Sequence, residues 1–466
     1  MLEELYSRDF GSSLEGPSIS TGLSGRPSQP DAPWNGPAIV RKVYLFNPRA
    51  QNWPQPDQYA KSEIAGIEAR LLELQAHTAG GIQFTGGELL QRGENPGPWI
   101  EALPDADAIL AVALSNGIEP LLAAISDANI PVLLFAPPFS GNAWTYVAGW
   151  ARDGKKGDVV ASSDPADLAP YFRMFRTVHH MRKSKVVVIG PENPLRVEQA
   201  EALTGQFGTS FKFLSYEDLV EAYQAAELPQ AEHLAEKLIQ GALGVIEPSR
   251  DDVRDSMRMY LATVELLKRE QANALAVDCH AEDRPFDLPA YPCIGLTKFN
   301  DQGLYGVCEG DLYATMTQLL VTSYSGRPGF VSDPVFDTSR NEIIHGHCVA
   351  PTAVHGVGGL CCQYTLRNHT GDNKSVAIQV QLPIGEKITI AKFIGPKEIL
   401  VSTAHVAGNV DNDRGCRTMI ATRVSDARKM LDNYAGGLHR VIFYGDYLES
   451  IERMGRLMGF KTTREL

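Results

Sequence analysis

The chain has 466 residues, 44% hydrophobic and 21% charged, which is enough apolar material for about three globular domains. Its formal net charge of −13 repels phosphate backbones and argues against nucleic acid as a partner. No apolar run approaches the roughly 18–20 residues of a membrane span. The opening MLEELYSRDFGSSLEG has neither the basic nor the apolar region of a secretory signal, and seven cysteines without a paired framework fit reduced thiols, so the expected location is cytoplasmic.

Residues 1–37 are rich in Ser, Gly and Pro and read as a flexible arm, ordered against a neighbour if the chain assembles. From Val43-Tyr44-Leu45-Phe46 onward, short apolar runs alternate with helical patterns. SEIAGIEARLLELQAH spaces its apolar residues three and four apart. Ala108–Ala113 and Pro131–Phe135 read as buried strands, with a helix near Ile118–Asp127 between them. This alternation predicts a parallel sheet covered on both faces, over 38–176. The pattern restarts at Lys185–Gly190 and continues through Phe211–Leu214 and a capped helix opening at Ser215. A long amphipathic helix follows over Ser249–Gln271, then a strand at Ala274–Val277 and a helix over Asp311–Thr322, giving a second α/β domain over 177–327. Between the last two, Thr297–Gly306 reads as irregular.

After Pro328 the texture changes. VAIQVQL, KITIAKF and EILVS alternate with period two between Gly, Asn and Pro, so 328–466 is expected to be a mostly antiparallel, barrel-like domain. Val441–Tyr444 reads as a strand and Tyr447–Met458 as a helix. The fold class is therefore α/β: two consecutive Rossmann-like parallel-sheet domains, then a β-rich C-terminal domain.

Four side chains are candidates for chemistry. Glu309 lies in a Gly-flanked loop before a helix, where loops of open α/β sheets bind ligands; it also reads as a helix-start carboxylate, with Asp311 as the N-cap. Asp333 sits before Pro334 at the second domain junction, a position that also suits a plain turn. His345 and His347, at i and i+2, share a face if they lie on a strand. There His347 reads equally as a metal ligand or a core histidine, and His345 as core. His439 follows Gly436-Gly437 and opens an apolar strand, and singly it reads as a surface or capping residue. His280 and His405 lack partners at metal spacing and read as structural. The chain has no G-x-S-x-G elbow, H-E-x-x-H, Walker loop or C-x-x-C pair. Cys308 reads as a small buried thiol.

Three segments together resemble the L-fucose isomerase / L-arabinose isomerase superfamily. A Glu-x-Asp loop (Glu309, Asp311) leads into a helix. An acidic residue (Asp333) follows about two dozen positions later. Near the C-terminus, His439-Arg440-Val441-Ile442-Phe443-Tyr444-Gly445 resembles the fucose-isomerase branch, and Arg440 departs from the His-His pair of arabinose isomerases. The resemblance covers Ala38–Leu466. It implies one divalent ion, Mn²⁺ with Mg²⁺ or Co²⁺ as substitutes, held by Glu309, Asp333 and His439. His347 is the positional match to a further histidine of the arabinose enzymes. It also implies a homotrimer or homohexamer acting on a free pentose or 6-deoxyhexose through an ene-diol, with Glu309 and Asp333 as acid/base pair. Epimerisation or aldol-type cleavage of a sugar at the same metal site, and an inactive sugar-binding or regulatory protein, are the competing readings.

Overall fold

A computed structural model describes residues 32–49, 60–78, 80–103, 105–191, 193–279 and 288–466. The expected N-terminal arm up to residue 31, and His280, lie outside the described residues. The chain forms two parallel-sheet α/β domains followed by a six-stranded antiparallel β-barrel. By contact it divides into two compact units, residues 33–182 with 449–461, and residues 183–448 with 462–466, besides the arm.

In the unit formed by 33–182 and 449–461, strands β1 (Ala38–Phe46), β2 (Ile82–Gln91), β3 (Ala108–Ala113), β4 (Val132–Phe135) and β5 (Gly157–Val160) form a parallel sheet in the order β2-β1-β3-β4-β5. β3 and β4 are buried at every position, which is why they read as unbroken apolar runs rather than alternations. Val43, Ile109, Leu134 and Trp150 share one core.

The other unit begins with β6 (Lys185–Ile189), β7 (Ser210–Leu214), β8 (Ala274–Val277) and β9 (Tyr305–Cys308), parallel in the order β7-β6-β8-β9. The helices Tyr216–Ala225 and Arg250–Glu270 each start with a reciprocal capping box, at Ser215/Asp218 and Ser249/Asp252. The stretch expected to be irregular is instead the helix Cys293–Asp301 followed by β9. Eight of that helix's nine residues are buried, so it has no polar face to reveal it. It packs tightly on β9: a Cβ on Gly306 would lie 2.4 Å from the Leu296 carbonyl oxygen. The buried Asn300 carboxamide accepts from Gly306 N–H (2.8 Å) and donates to Gly306 C=O (3.0 Å), so the outer edge of β9 is satisfied by a side chain.

The barrel comprises β10 (Phe330–Asp337), β11 (Glu342–His347), β14 (Lys387–Gly395), β15 (Glu398–Asn409), β16 (Thr418–Arg423) and β17 (Arg440–Tyr444), in the order β14-β17-β10-β11-β16-β15, closed by β14–β15 pairing. β18 (Lys461–Arg464) adds to β15. The VAIQVQL segment does not join it. Its β13 (Ala377–Val380) pairs with β12 (Tyr364–Arg367) in a separate hairpin. Leu275, Leu296, Ile343, Ile390 and Ile442 belong to one continuous core, so the barrel and the second sheet share an interior.

Candidate functional site

The site lies within the unit that holds the second sheet and the barrel. Glu309 follows the last residue of β9, at the carboxyl end of the parallel sheet. Its φ is +59° and that of Gly310 is +61°, so two successive residues are left-handed. For a residue with a Cβ this costs on the order of 1 kcal/mol, held in place by the packing around it. Asp311 then caps the helix Leu312–Ser325 by accepting from Ala314 N–H at 2.8 Å.

The barrel brings the other three candidates to this loop. β10 pairs antiparallel with β17, Ser332 opposite Arg440, so the next position along each strand sets Asp333 beside His439. On its other side β10 pairs with β11, Asp333 opposite Gly346, one residue from His347. His439 Nε2 lies 3.2 Å from Glu309 Oε2 and 3.4 Å from Asp333 Oδ1, and His347 Nε2 lies 3.7 Å from Glu309 Oε1. The four sequence-derived candidates thus converge. His345 and His405 do not join them: His345 is fully buried against Ser332 Oγ (3.0 Å), and His405 is exposed on β15.

Two partners fix His439. Its Nδ1 lies 2.9 Å from Asp311 Oδ2, and a carboxylate accepts only, so Nδ1 carries a proton in either charge state. Burial opposes charge on the ring, but the Asp311 and Glu309 carboxylates raise its pKa to about 9, so Nε2 can take a cation only in exchange for its own proton. Asp311 is itself in a short ion pair with Lys392, whose side chain is 1% exposed. Burial alone would raise the Asp311 pKa, yet Lys392 and His439 hold it well below the ordinary carboxylate range. From the other side Arg440, fully buried, forks onto Glu465 (2.7 and 3.3 Å). It also donates to the carbonyls of Ala435 (2.9 Å) and His439 (3.0 Å), pinning the turn that delivers His439.

His347 is held the other way round. The Cys348 N–H donates to its Nδ1 at 3.0 Å, so in the neutral ring Nδ1 is the lone-pair nitrogen and the proton sits on Nε2. Burial opposes charge on this ring, while Cys348, Asp333 and Glu309 favour it. A protonated Nδ1 would face the Cys348 N–H donor to donor, so the ring is held neutral. Burial also raises the Asp333 pKa, opposed by the two histidines.

Asp333 Oδ1, His347 Nε2 and His439 Nε2 are buried without a hydrogen-bond partner, although buried polar atoms are nearly always paired. Glu309, His347 and His439 offer donor atoms within 4.8 Å of one another. Ligands about 2.1 Å from one octahedral ion stand about 3.0 Å apart, close to the separations around His439 Nε2. The oxygen and imidazole donors therefore fit a divalent cation, with Asp311 as the outer carboxylate that orients the imidazole. From the sequence Asp311 read only as an N-cap, and Lys392 was missed. The signal for Lys392 lay in KITIAKF: Lys387 and Lys392 have opposite parity in a period-two strand, so one of them must face inward.

No helix among the described residues is long and apolar enough to cross a membrane. No protein-family model matches the chain. Among curated proteins it is 23% identical, over 318 residues, to the sulfoquinovose isomerases of Priestia aryabhattai and Priestia megaterium, covering 64% of this chain and 70% of each of theirs. Against the sulfoquinovose isomerase of a Clostridium species it is 25% identical over 189 residues, 38% of this chain and 40% of the relative. With the buried His, Glu and Asp cluster in view, the chain is a distant homologue of sugar isomerases.

Proposed function

We propose that the protein is a divalent-metal-dependent aldose–ketose isomerase, with Glu309, Asp333 and His439 as ligands and Glu309 and Asp333 as the acid/base pair. One observation carries the reading: the buried His439 Nε2 stands 3.2 Å from Glu309 and 3.4 Å from Asp333, carboxylates from two different segments, while Asp311 holds its Nδ1, so Nε2 is the nitrogen a cation would take in place of a proton. When bound, a divalent ion supplies electrophilic stabilisation to the oxygens of the reacting carbons.

The protein's own residues do the rest. Proton exchange between C1 and C2 needs one group to take a proton from carbon and return it to the neighbouring carbon. Asp333 is placed for this by the β10–β17 register, which sets it beside His439 and across the site from Glu309. Glu309, on a left-handed backbone, reaches the same space from the opposite segment. His347 is assigned as a donor rather than a ligand: its Nε2–H, 3.7 Å from Glu309 Oε1 and without a protein partner, is placed to donate to a sugar hydroxyl. Asp311 and Lys392 hold His439 and stay out of the chemistry.

For the substrate, the chemistry asks for an aldose free at C1 and C2. The fucose/arabinose type, a pentose or 6-deoxyhexose, follows from the motif resemblance. The relatives' name adds sulfoquinovose, whose sulfonate lies away from those two carbons. Manganese is the first ion to try, and a homotrimer or homohexamer is the assembly to look for by sedimentation. The test incubates the protein with Mn²⁺ in D₂O and, in turn, L-fucose, L-arabinose and sulfoquinovose. The expected product is a ketose deuterated at C1, absent with Glu309→Gln. Mn²⁺-loaded protein that makes no ketose from any of the three, or a Glu309→Gln variant of unchanged rate, sinks the proposal. Epimer or cleavage products would move it to the alternative sugar chemistries.

A further inference from the structure

Directly behind the carboxylate–imidazole site lies a second, chemically opposite cluster. Cys279 follows β8, Cys293 opens the helix Cys293–Asp301, Cys308 ends β9 and Cys348 follows β11. Their exposures are 5%, 2%, 0% and 4%, and all four are free thiols. Cys279 Sγ lies 3.0 Å from Cys308 Sγ, and Cys293 Sγ lies 3.5 Å from Cys348 Sγ. Cys308 and Cys348 join the two pairs: their sulfurs and a ring nitrogen of His347 lie within 4.8 Å of one another. Four of the seven cysteines thus form one chain of sulfur contacts, Cys279–Cys308–Cys348–Cys293, although the sequence separates them by up to 69 positions (279 to 348).

Isolated buried cysteines behave as small hydrophobes, and packing alone does not require sulfur to meet sulfur. Thiolate ligands of a tetrahedral d¹⁰ ion, with metal–sulfur bonds of about 2.3 Å, stand about 3.8 Å apart. The two pair separations fall a little short of that edge, and Cys279 and Cys293 each meet one central sulfur, so an ion would draw the two pairs together around Cys308 and Cys348. His347 is excluded as a ligand here, because its Nδ1 already accepts the Cys348 N–H. We propose that Cys279, Cys293, Cys308 and Cys348 form a binding site for a thiophilic d¹⁰ cation of the zinc class, with Cys308 and Cys348 as its central ligands. It is separate from the Glu309–Asp333–His439 site and does not depend on the function assigned to that site.

The two sites would sort cations by softness. Sulfur takes the thiophilic ion, while oxygen and imidazole take manganese or magnesium. They are also mechanically joined, since Cys308 precedes Glu309 and Cys348 follows His347. An ion on the sulfurs would fix the backbone beneath both residues, which assigns it a structural role.

Cadmium is the probe. The full-length protein, first saturated with Mn²⁺ and kept reduced, is titrated with Cd²⁺ while the thiolate-to-cadmium charge-transfer absorption is followed. A band that saturates at one Cd²⁺ per chain is expected. It should be lost in Cys308→Ser and in Cys348→Ser, and kept in Cys361→Ser and Cys416→Ser. X-ray absorption at the cadmium edge of the unmutated protein should show mostly sulfur neighbours, a readout that stands even if a serine variant fails to fold. The proposal is overturned by a shell of oxygen and nitrogen only, by a band that survives the Cys308→Ser/Cys348→Ser double variant, or by a Cys279–Cys308 disulfide in the protein as isolated.

Discussion

Replacing Asp311 with Ser separates the three tasks that this carboxylate performs. A serine hydroxyl still caps the helix by accepting from Ala314 N–H, so the helix start is kept. It cannot also reach His439 Nδ1 and Lys392. His439 then loses the acceptor that sets its tautomer, and loss of such an outer partner lowers metal affinity by about 10–100-fold, or about 1.4–2.7 kcal/mol. Lys392, 1% exposed, is left as a buried charge without its carboxylate, which costs about 3–5 kcal/mol of stability. Mn²⁺ titration followed by electron paramagnetic resonance reads the first effect, and urea denaturation of metal-free protein reads the second. The double variant Asp311→Ser/Lys392→Met should recover most of the stability and none of the Mn²⁺ affinity. An Asp311→Ser protein that binds Mn²⁺ as tightly as the unaltered chain would refute the assignment of Asp311 as the residue that orients His439.

Three further outcomes are expected. Glu309→Gly relieves a left-handed backbone and should raise stability by about 1 kcal/mol in urea while abolishing turnover; a clear loss of stability would show that the conformation is unstrained. Gly306→Ala drives a methyl into the Leu296 carbonyl and should cost about 2–3 kcal/mol, with weaker Mn²⁺ binding because Glu309 lies three residues on; an unchanged Tm would contradict the close packing. Asp301 accepts from Thr352 and Ala353, and burial, against those bonds and Lys298, raises its pKa to about 6 from an ordinary 3.8. A raised acid stabilises the fold most below pH 3.8 and loses that contribution as pH climbs through 6. Asp301→Asn should therefore gain on the unaltered protein between those pH values, by at most about 3 kcal/mol and nearer 1 kcal/mol after solvent screening, as read by Tm against pH. A difference that does not vary over this range would exclude Asp301 as the titrating group.

Where a residue's surroundings are fixed by its neighbours in sequence, the sequence was readable. Ala108–Ala113 and Ala274–Val277 are continuous apolar runs because both faces of those strands are covered, Ser215 announces its helix through local capping chemistry, and the helix from Ser249 shows itself by its apolar stripe. The helix Cys293–Asp301 was hidden because burial on all sides erases the periodicity that marks a helix. β16 (Thr418–Arg423) was passed over as well: five of its six residues are buried, so its pattern lacks alternation. In the site, Glu309, Asp333, His347 and His439 were found by residue type and order. Their division into two histidines of opposite tautomer was not, since it depends on what each Nδ1 touches: the Asp311 carboxylate in one case and a backbone amide in the other.

The order of strands around the barrel also bears on how the molecule is made. β17, from residues 440–444, lies between β10 and β14, which precede it by about 100 and about 50 residues, and its register with β10 sets His439 beside Asp333. A nascent chain that has not yet emerged past Tyr444 leaves two unpaired strand edges and no third donor for a cation. Because contacts so distant in sequence form late, metal capture should be among the last events after synthesis. The bound ion would then mark a finished chain: any truncation that removes β17 leaves a barrel with a slot in its wall and carboxylates with nothing to share.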